Sequence, residues 1–207
     1  MSYAILDLRT VPMSAVMDGI LQEYRAAYRD TAPNLLRAGD YKRWSYILSV
    51  IEETGPMLDV GIGAGQLINA ALRSGQYKSI TGVDLKPHSK LLRLHDDIEF
   101  VWANAANLPF PDSSFDVVTC LECLEHLDTS TMTAAIAELR RITSHRLLMT
   151  VPFEEPEPLP RHHVQRFDEA RIKALFPDSQ VTLLTRGSGV PWALLEEWPN
   201  KSALSKG

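Results

Sequence analysis

Little in this chain of 207 residues ties it to a membrane, to nucleic acid or to a metal. No run approaches the ~18 consecutive apolar residues of a spanning helix, and Met1–Ile20 interrupts its only apolar region with Asp7 and Arg9. No membrane span is expected, and the cytoplasm is the expected compartment. Lys and Arg number 21 against 26 Asp and Glu; the net charge of -5 is spread without a basic block, which argues against a strong hold on nucleic acid. The two cysteines, Cys120 and Cys123, have the spacing of half a zinc site, with His126 three residues on. No second ligand pair follows and Cys120 ends an apolar run, so no metal is expected there. Gly-Lys-Ser/Thr after four spacer residues, the mark of a phosphate-binding loop, is also missing, which removes nucleoside triphosphates.

What is present centres on residues 57–67. A short apolar run containing Asp59 leads into Gly61, Gly63 and Gly65, and Leu67, Ile68, Ala71 and Leu72 then follow at the spacing of a buried helix face. The pattern predicts strand, glycine turn and helix. Glycine there admits positive φ and lets a ligand approach the backbone, while free amides at the helix start attract polar groups. The dinucleotide fingerprint needs a sixth-place glycine, but that place holds Gln66, which weakens an NAD reading.

Further along, Ser79–Asp84 reads as a second strand ending in an acid, nineteen residues beyond Gly65. A carboxylate at that tip can accept hydrogen bonds from both ribose hydroxyls of a nucleotide seated on the turn. The segment from Lys86 to Asp97 leaves room for only a two-turn helix. Ile98–Trp102 and Phe115–Cys120 are the next strands, a helix capped by Ser130 runs to Thr143, and Arg146–Val151 is a strand whose apolar Leu147-Leu148-Met149 suits burial on both faces. Four prolines within 152–160 make a stiff, extended arm. A helix from Asp168 and strands at Val181–Thr185 and Trp192–Glu196, joined through Gly187-Ser188-Gly189, complete the chain.

Upstream, two helices, Ser14–Tyr28 and Asp40–Glu53, precede the glycine turn, separated by a turn at residues 31–34. They form either a lid or a cover for one side of the core. The length suits a single domain of 1–207, with helices in 1–54, a core in 55–198 and a loose tail in 199–207.

Asp59-x-Gly61-x-Gly63-x-Gly65 resembles the first motif of class I S-adenosylmethionine-dependent methyltransferases. The run Ala103-Asn104-Ala105-Ala106-Asn107-Leu108-Pro109-Phe110 is similar to that family's Gly-Asp-Ala-x-x-Leu-Pro-Phe, with Asn104 in place of the acid that meets adenine. The phrase Phe115 to Leu127, with Cys-x-Glu-x-Leu-Glu-His-Leu at its end, looks like the small-molecule enzymes of the ubiquinone and menaquinone type. The resemblance implies an α/β, Rossmann-like doubly wound sheet, mostly parallel with one antiparallel strand near the C-terminus, in the order 3-2-1-4-5-7-6, with helices on both faces. It implies S-adenosylmethionine as cofactor, held by Asp59, Gly61, Gly63, Gly65, Asp84, Asn104, Ala105 and Glu122, and a small-molecule acceptor.

A sulfonium methyl is already electrophilic, so positioning supplies most of the rate, roughly 7 to 11 kcal/mol. A hydroxyl acceptor would also lose a proton, and His126 and His163 are the candidate bases. Each has an ordinary alternative: His126 as a helix cap or backbone partner, His163 as part of a turn. Glu122 either meets the methionine end of the cofactor or pairs with an arginine. A rival reading of the whole is a cofactor-binding subunit without turnover, since Asn104 and the short segment 86–97 depart from the family pattern.

Overall fold

Alternation along each central strand decides the architecture. In 56–60, 115–121 and 143–152, successive apolar side chains point to opposite faces, and both sets are buried, which requires a helical layer on each side of the sheet. The computed structural model describes residues 3–187 and 189–199. In chain order the elements are β1 (Ala4–Asp7), α1 (Ala15–Tyr28), α2 (Ala38–Val50), β2 (Pro56–Val60), α3 (Gln66–Ser74), β3 (Ser79–Asp84), β4 (Glu99–Trp102) and β5 (Phe115–Leu121). They continue with α4 (Thr129–Ile142), β6 (Thr143–Pro152), α5 (Glu169–Leu175), β7 (Gln180–Thr185) and β8 (Trp192–Glu197). Among the described residues, no helix is long and apolar enough to cross a membrane.

The sheet runs β1-β7-β8-β6-β5-β2-β3-β4, with β8 antiparallel to both neighbours and every other pairing parallel. Counted from β2, this is the expected order 3-2-1-4-5-7-6. The reversal between β2 and β5 opens a crevice at the carboxyl ends of those strands, where ligands bind in such sheets.

Met57, Val117 and Leu148 face α1, α2 and α3; Leu58, Val118, Leu147 and Met149 face α4 and α5. Helix α1 begins at Ser14, whose side chain accepts from the Met17 amide, and buries Met17, Ile20, Leu21 and Tyr24. Each such side chain contributes about 1.5–3 kcal/mol when fully buried.

Four departures from the sequence expectations have physical causes. The strand β1 adds to the outer side of β7, and its four residues, three apolar and then an acid, are too short a run to show a strand's alternation. The expected two-turn helix between β3 and β4 does not form. Instead the segment folds against the glycine turn: Leu92 donates to the Ala64 carbonyl at 3.2 Å, and Asn69 donates to the Gly65 and Leu92 carbonyls, both at 2.7 Å, and accepts from Leu94. Those side-chain bonds satisfy backbone groups that a helix would have satisfied internally. The cap of α4 is Asp128, not Ser130; its carboxylate accepts from the Ser130 and Thr131 amides, and their hydroxyls hold it below the usual carboxylate range. Helix α2 spans 38–50, so its end falls short of the expected Glu53. Ser188 and the expected loose tail, residues 200–207, lie outside the described residues.

Candidate active site

The glycine turn closes over the tip of β3. Gly61, Gly63 and Gly65 all take positive φ, 83°, 52° and 89°. Gly61 and Ile62 donate to the Val83 carbonyl, which fixes the bend, and a Cβ on Gly61 would come within 3.0 Å of Cys123. Gly63 differs: a Cβ there meets nothing within 4 Å, because its open side faces the crevice.

Asp84 binds this turn directly. Its Oδ2 accepts from the Gly63 amide at 3.0 Å and its Oδ1 from the Leu85 amide at 2.8 Å. A carboxylate has about four acceptor positions, so two remain for a ligand. The two features that sequence reasoning placed on one ligand are thus in contact with each other.

A cavity of about 320 Å³ lies against them, lined by Gly61, Gly63, Asp84, Asn104, Ala105, Glu122, Cys123 and His126, together with Val60, Val83, Leu85, Ala103 and Leu127. That is the size of a small-ligand site. Of the eight residues expected to hold a cofactor, six border this space.

Asp59 and Gly65 do not. Asp59 sits beneath the turn, 4% exposed, opposite Thr119 in register, and Thr119 Oγ1 donates to its Oδ1 at 2.7 Å. Burial pushes its carboxyl up to about 7, and the charge of Asp84 adds to the rise. Gly65 is the left-handed cap of α3. Asn104 borders the cavity, yet its amide oxygen accepts from the Ala106 amide at 2.9 Å, so the expected contact to adenine has one lone pair less to use.

Glu122 stands at the end of β5 with φ of 53°, a conformation that costs a non-glycine residue of order 1–3 kcal/mol and is held by its partners. Thr150 Oγ1 donates to Oε1 at 3.0 Å, Trp192 Nε1 to Oε2 at 2.6 Å, and Arg43 Nη1 lies 3.1 Å from Oε1. The expected arginine partner is Arg43 from α2; the tryptophan from β8 has no signal in the sequence, since it comes from a distant segment. Arg43 is 3% exposed, and its guanidinium lies 4.2 Å above the Trp192 ring.

Glu122 also borders a second cavity of about 560 Å³, lined by Arg37, Asp40, Arg43, Glu155, His163, Arg186 and Trp192, with Pro152, Pro160 and Val190. The proline arm and the turn around His163 therefore wall a space next to the first, as the sheet topology predicts. Burial raises the Asp40 carboxyl above its usual range, against the opposing pull of Arg43.

The two histidines come together, with ring centroids 5.0 Å apart. His126 borders the first cavity and uses Nδ1 against the His162 carbonyl at 2.8 Å; His163 borders the second and uses Nδ1 against Glu155 Oε2 at 2.7 Å. Between β5 and α4, Glu125 is 1% exposed, and among the described residues its carboxylate oxygens have no hydrogen-bond partner. Burial, and then the neighbouring Glu122, raise its carboxyl well above the usual range. Sequence reasoning missed Glu125 because it took the Glu-His pair as a turn motif. Cys120 is fully buried, and its thiol is pushed up by its hydrogen bond with Cys123 and by burial.

Comparison with known proteins agrees with this geometry. A model of the methyltransferase domain matches residues 58–146. The chain is 29% identical over 148 residues to a demethylmenaquinone methyltransferase of Renibacterium salmoninarum, covering 69% of this chain and 59% of that protein. It is 40% identical over 95 residues to a ubiquinone biosynthesis O-methyltransferase of Paracidovorax citrulli, covering 40% of this chain and 38% of the relative. The chain thus spans about half the length of these curated relatives. In fold it is similar to the Burkholderia thailandensis 1,6-didemethyltoxoflavin-N1-methyltransferase, with TM-score 0.61, 19% identity, and coverage of 90% of this chain and 91% of that one. The methyltransferase-domain match over residues 58–146, the motif order and the strand order agree with one another: this stretch is similar to the class I S-adenosylmethionine-dependent methyltransferases.

Proposed function

We propose that this protein transfers a methyl group from S-adenosylmethionine to an oxygen of a small-molecule acceptor by in-line displacement. The observation that supports it most is the pair of cavities sharing Glu122, one walled by the glycine turn and Asp84, the other by α2, the proline arm and Trp192. In this reading the Gly61–Gly65 turn receives the cofactor backbone-first, Asp84 uses its two remaining acceptor positions for the ribose hydroxyls, and Asn104 with Ala105 borders the adenine. Glu122, fixed by Thr150, Trp192 and Arg43, stands at the methionine end and marks where sulfur meets acceptor.

Holding the acceptor atom in line with the sulfur–methyl bond is then the main task, worth roughly 7 to 11 kcal/mol. The acceptor oxygen forms its bond to the methyl carbon as the sulfur–carbon bond breaks, and sulfur keeps the electron pair and becomes a neutral thioether. A hydroxyl proton must also leave, and His126 and His163 stand on the two sides of that boundary. One relative is named a ubiquinone biosynthesis O-methyltransferase, which supports oxygen as the accepting atom and makes phenols the first acceptors to try.

Calorimetric titration with S-adenosylhomocysteine, followed by transfer from methyl-labelled cofactor to a panel of phenols and catechols, tests the reading. Binding with label appearing as aryl methyl ether is the expected result. Binding without transfer to any extract or phenol would favour a cofactor-binding subunit, and no binding would refute the assignment.

A further inference from the structure

We infer that Glu125, His126 and His163 form a binding site for a divalent transition-metal ion of the zinc class. One ligand atom from each residue lies within 4.8 Å of the other two. A tetrahedral site with bonds of 2.0–2.1 Å needs ligand atoms about 3.3 Å apart, so modest side-chain rotation closes the set.

Three observations support it independently of spacing. Both histidines commit Nδ1 to a protein oxygen, His126 to the His162 carbonyl and His163 to the Glu155 carboxylate. This leaves Nε2 of each as the ligand nitrogen and fixes its tautomer, which is how ligating histidines are oriented by a surrounding carbonyl or carboxylate. Secondly, Glu125 is 1% exposed and neither carboxylate oxygen is hydrogen-bonded among the described residues, a cost of several kcal/mol for an ionised group unless a cation meets it. Its backbone is pinned toward the histidine turn, since the Val164 and Gln165 amides both donate to the Glu125 carbonyl. Thirdly, the surrounding charge suits a cation: Glu122, Glu125 and Glu155 gather here, with Arg43 paired to Glu122.

Two nitrogens and one carboxylate with an exposed side are the donor set of an open site. His126 reaches the first cavity and His163 the second, so the ion lies at their boundary. There it takes the acceptor hydroxyl at an open position and lowers its pKa, and the proton passes to water. The histidines then serve as ligands rather than bases. This role rests on the methyl-transfer reading; the binding does not.

The test uses the full chain, stripped with chelator, reloaded with Zn²⁺ and desalted, with metal measured by plasma mass spectrometry and S-adenosylhomocysteine binding measured on the same samples. One equivalent of Zn²⁺ is expected for the wild type and for Cys123→Ser, and Co²⁺ loading should give the visible bands of nitrogen and oxygen coordination. Glu125→Gln and His163→Asn should each lose stoichiometric metal, and Glu155→Gln should weaken it by about 10- to 100-fold through loss of the orienting contact. Substoichiometric metal in a wild type that still binds S-adenosylhomocysteine would overturn the site and leave the cofactor reading standing. Equal retention by Glu125→Gln and His163→Asn would also overturn it.

Discussion

Replacing Asp59 by asparagine isolates the cost of a charge beneath the glycine turn. The carboxyl is 4% exposed, accepts from Thr119 at 2.7 Å and is raised from 3.8 to about 7 by burial. Because the folded value lies above the unfolded one, the native state binds the proton more tightly. The associated stability is fully present below about pH 3.8 and is lost as pH rises through about 7. The gap corresponds to about 4 kcal/mol in total, more than half of which falls between pH 5 and pH 8. Asparagine keeps an oxygen for Thr119 and carries no charge at any pH. Urea unfolding of both proteins across that range should show the variant gaining on the wild type by about 2–3 kcal/mol as pH rises. A difference that stays flat with pH would refute the assignment of a charge penalty to this residue.

Other substitutions read separate parts of the account. Gly63→Val should lower S-adenosylhomocysteine affinity at least tenfold in calorimetry, because the added side chain projects into open space facing the crevice, while strain at φ of 52° costs only about 1–2 kcal/mol of stability. Asp84→Asn should weaken the same ligand by about 1.5–3 kcal/mol, the worth of charged hydrogen bonds to ribose, and should also lower the melting temperature, since one of the Gly63 and Leu85 amides then faces an NH2 donor. Arg146→Ala should cost about 3–5 kcal/mol in urea unfolding, since it leaves Glu196, 4% exposed, without its ion-pair partner. Trp192→Phe removes the donor to Glu122 Oε2 and should lower the transfer rate more than cofactor affinity in steady-state assays.

The central sheet was legible because its information is local. Ser79–Asp84 is bounded to the residue, and the glycine turn is legible in its backbone, with Gly61, Gly63 and Gly65 all at positive φ. What the sequence hid was supplied from a distance. Asn69 reads as a polar interruption on a buried helix face, and only the fold shows it clamping residues 92 and 94 in place of a crossover helix. Glu122 was recognised, but its partners come from residue 43 on one side and 192 on the other. Asp59 enters the expected cofactor set only through the resemblance of Asp-x-Gly-x-Gly-x-Gly to a family motif, and its side chain lies beneath the turn against Thr119. Glu125 went unread for a related reason: whether a carboxylate is buried without a partner depends on elements that sequence spacing does not bring together.

A crystal of the protein grown with S-adenosylhomocysteine tests the central claim most directly. The account predicts density for the ligand in the cavity between Gly63 and Asn104, with both ribose hydroxyls within about 2.5–3.0 Å of the Asp84 carboxylate and the sulfur turned toward Glu122. A cavity that stays empty at saturating ligand, or a nucleoside bound with its ribose away from Asp84, would contradict it.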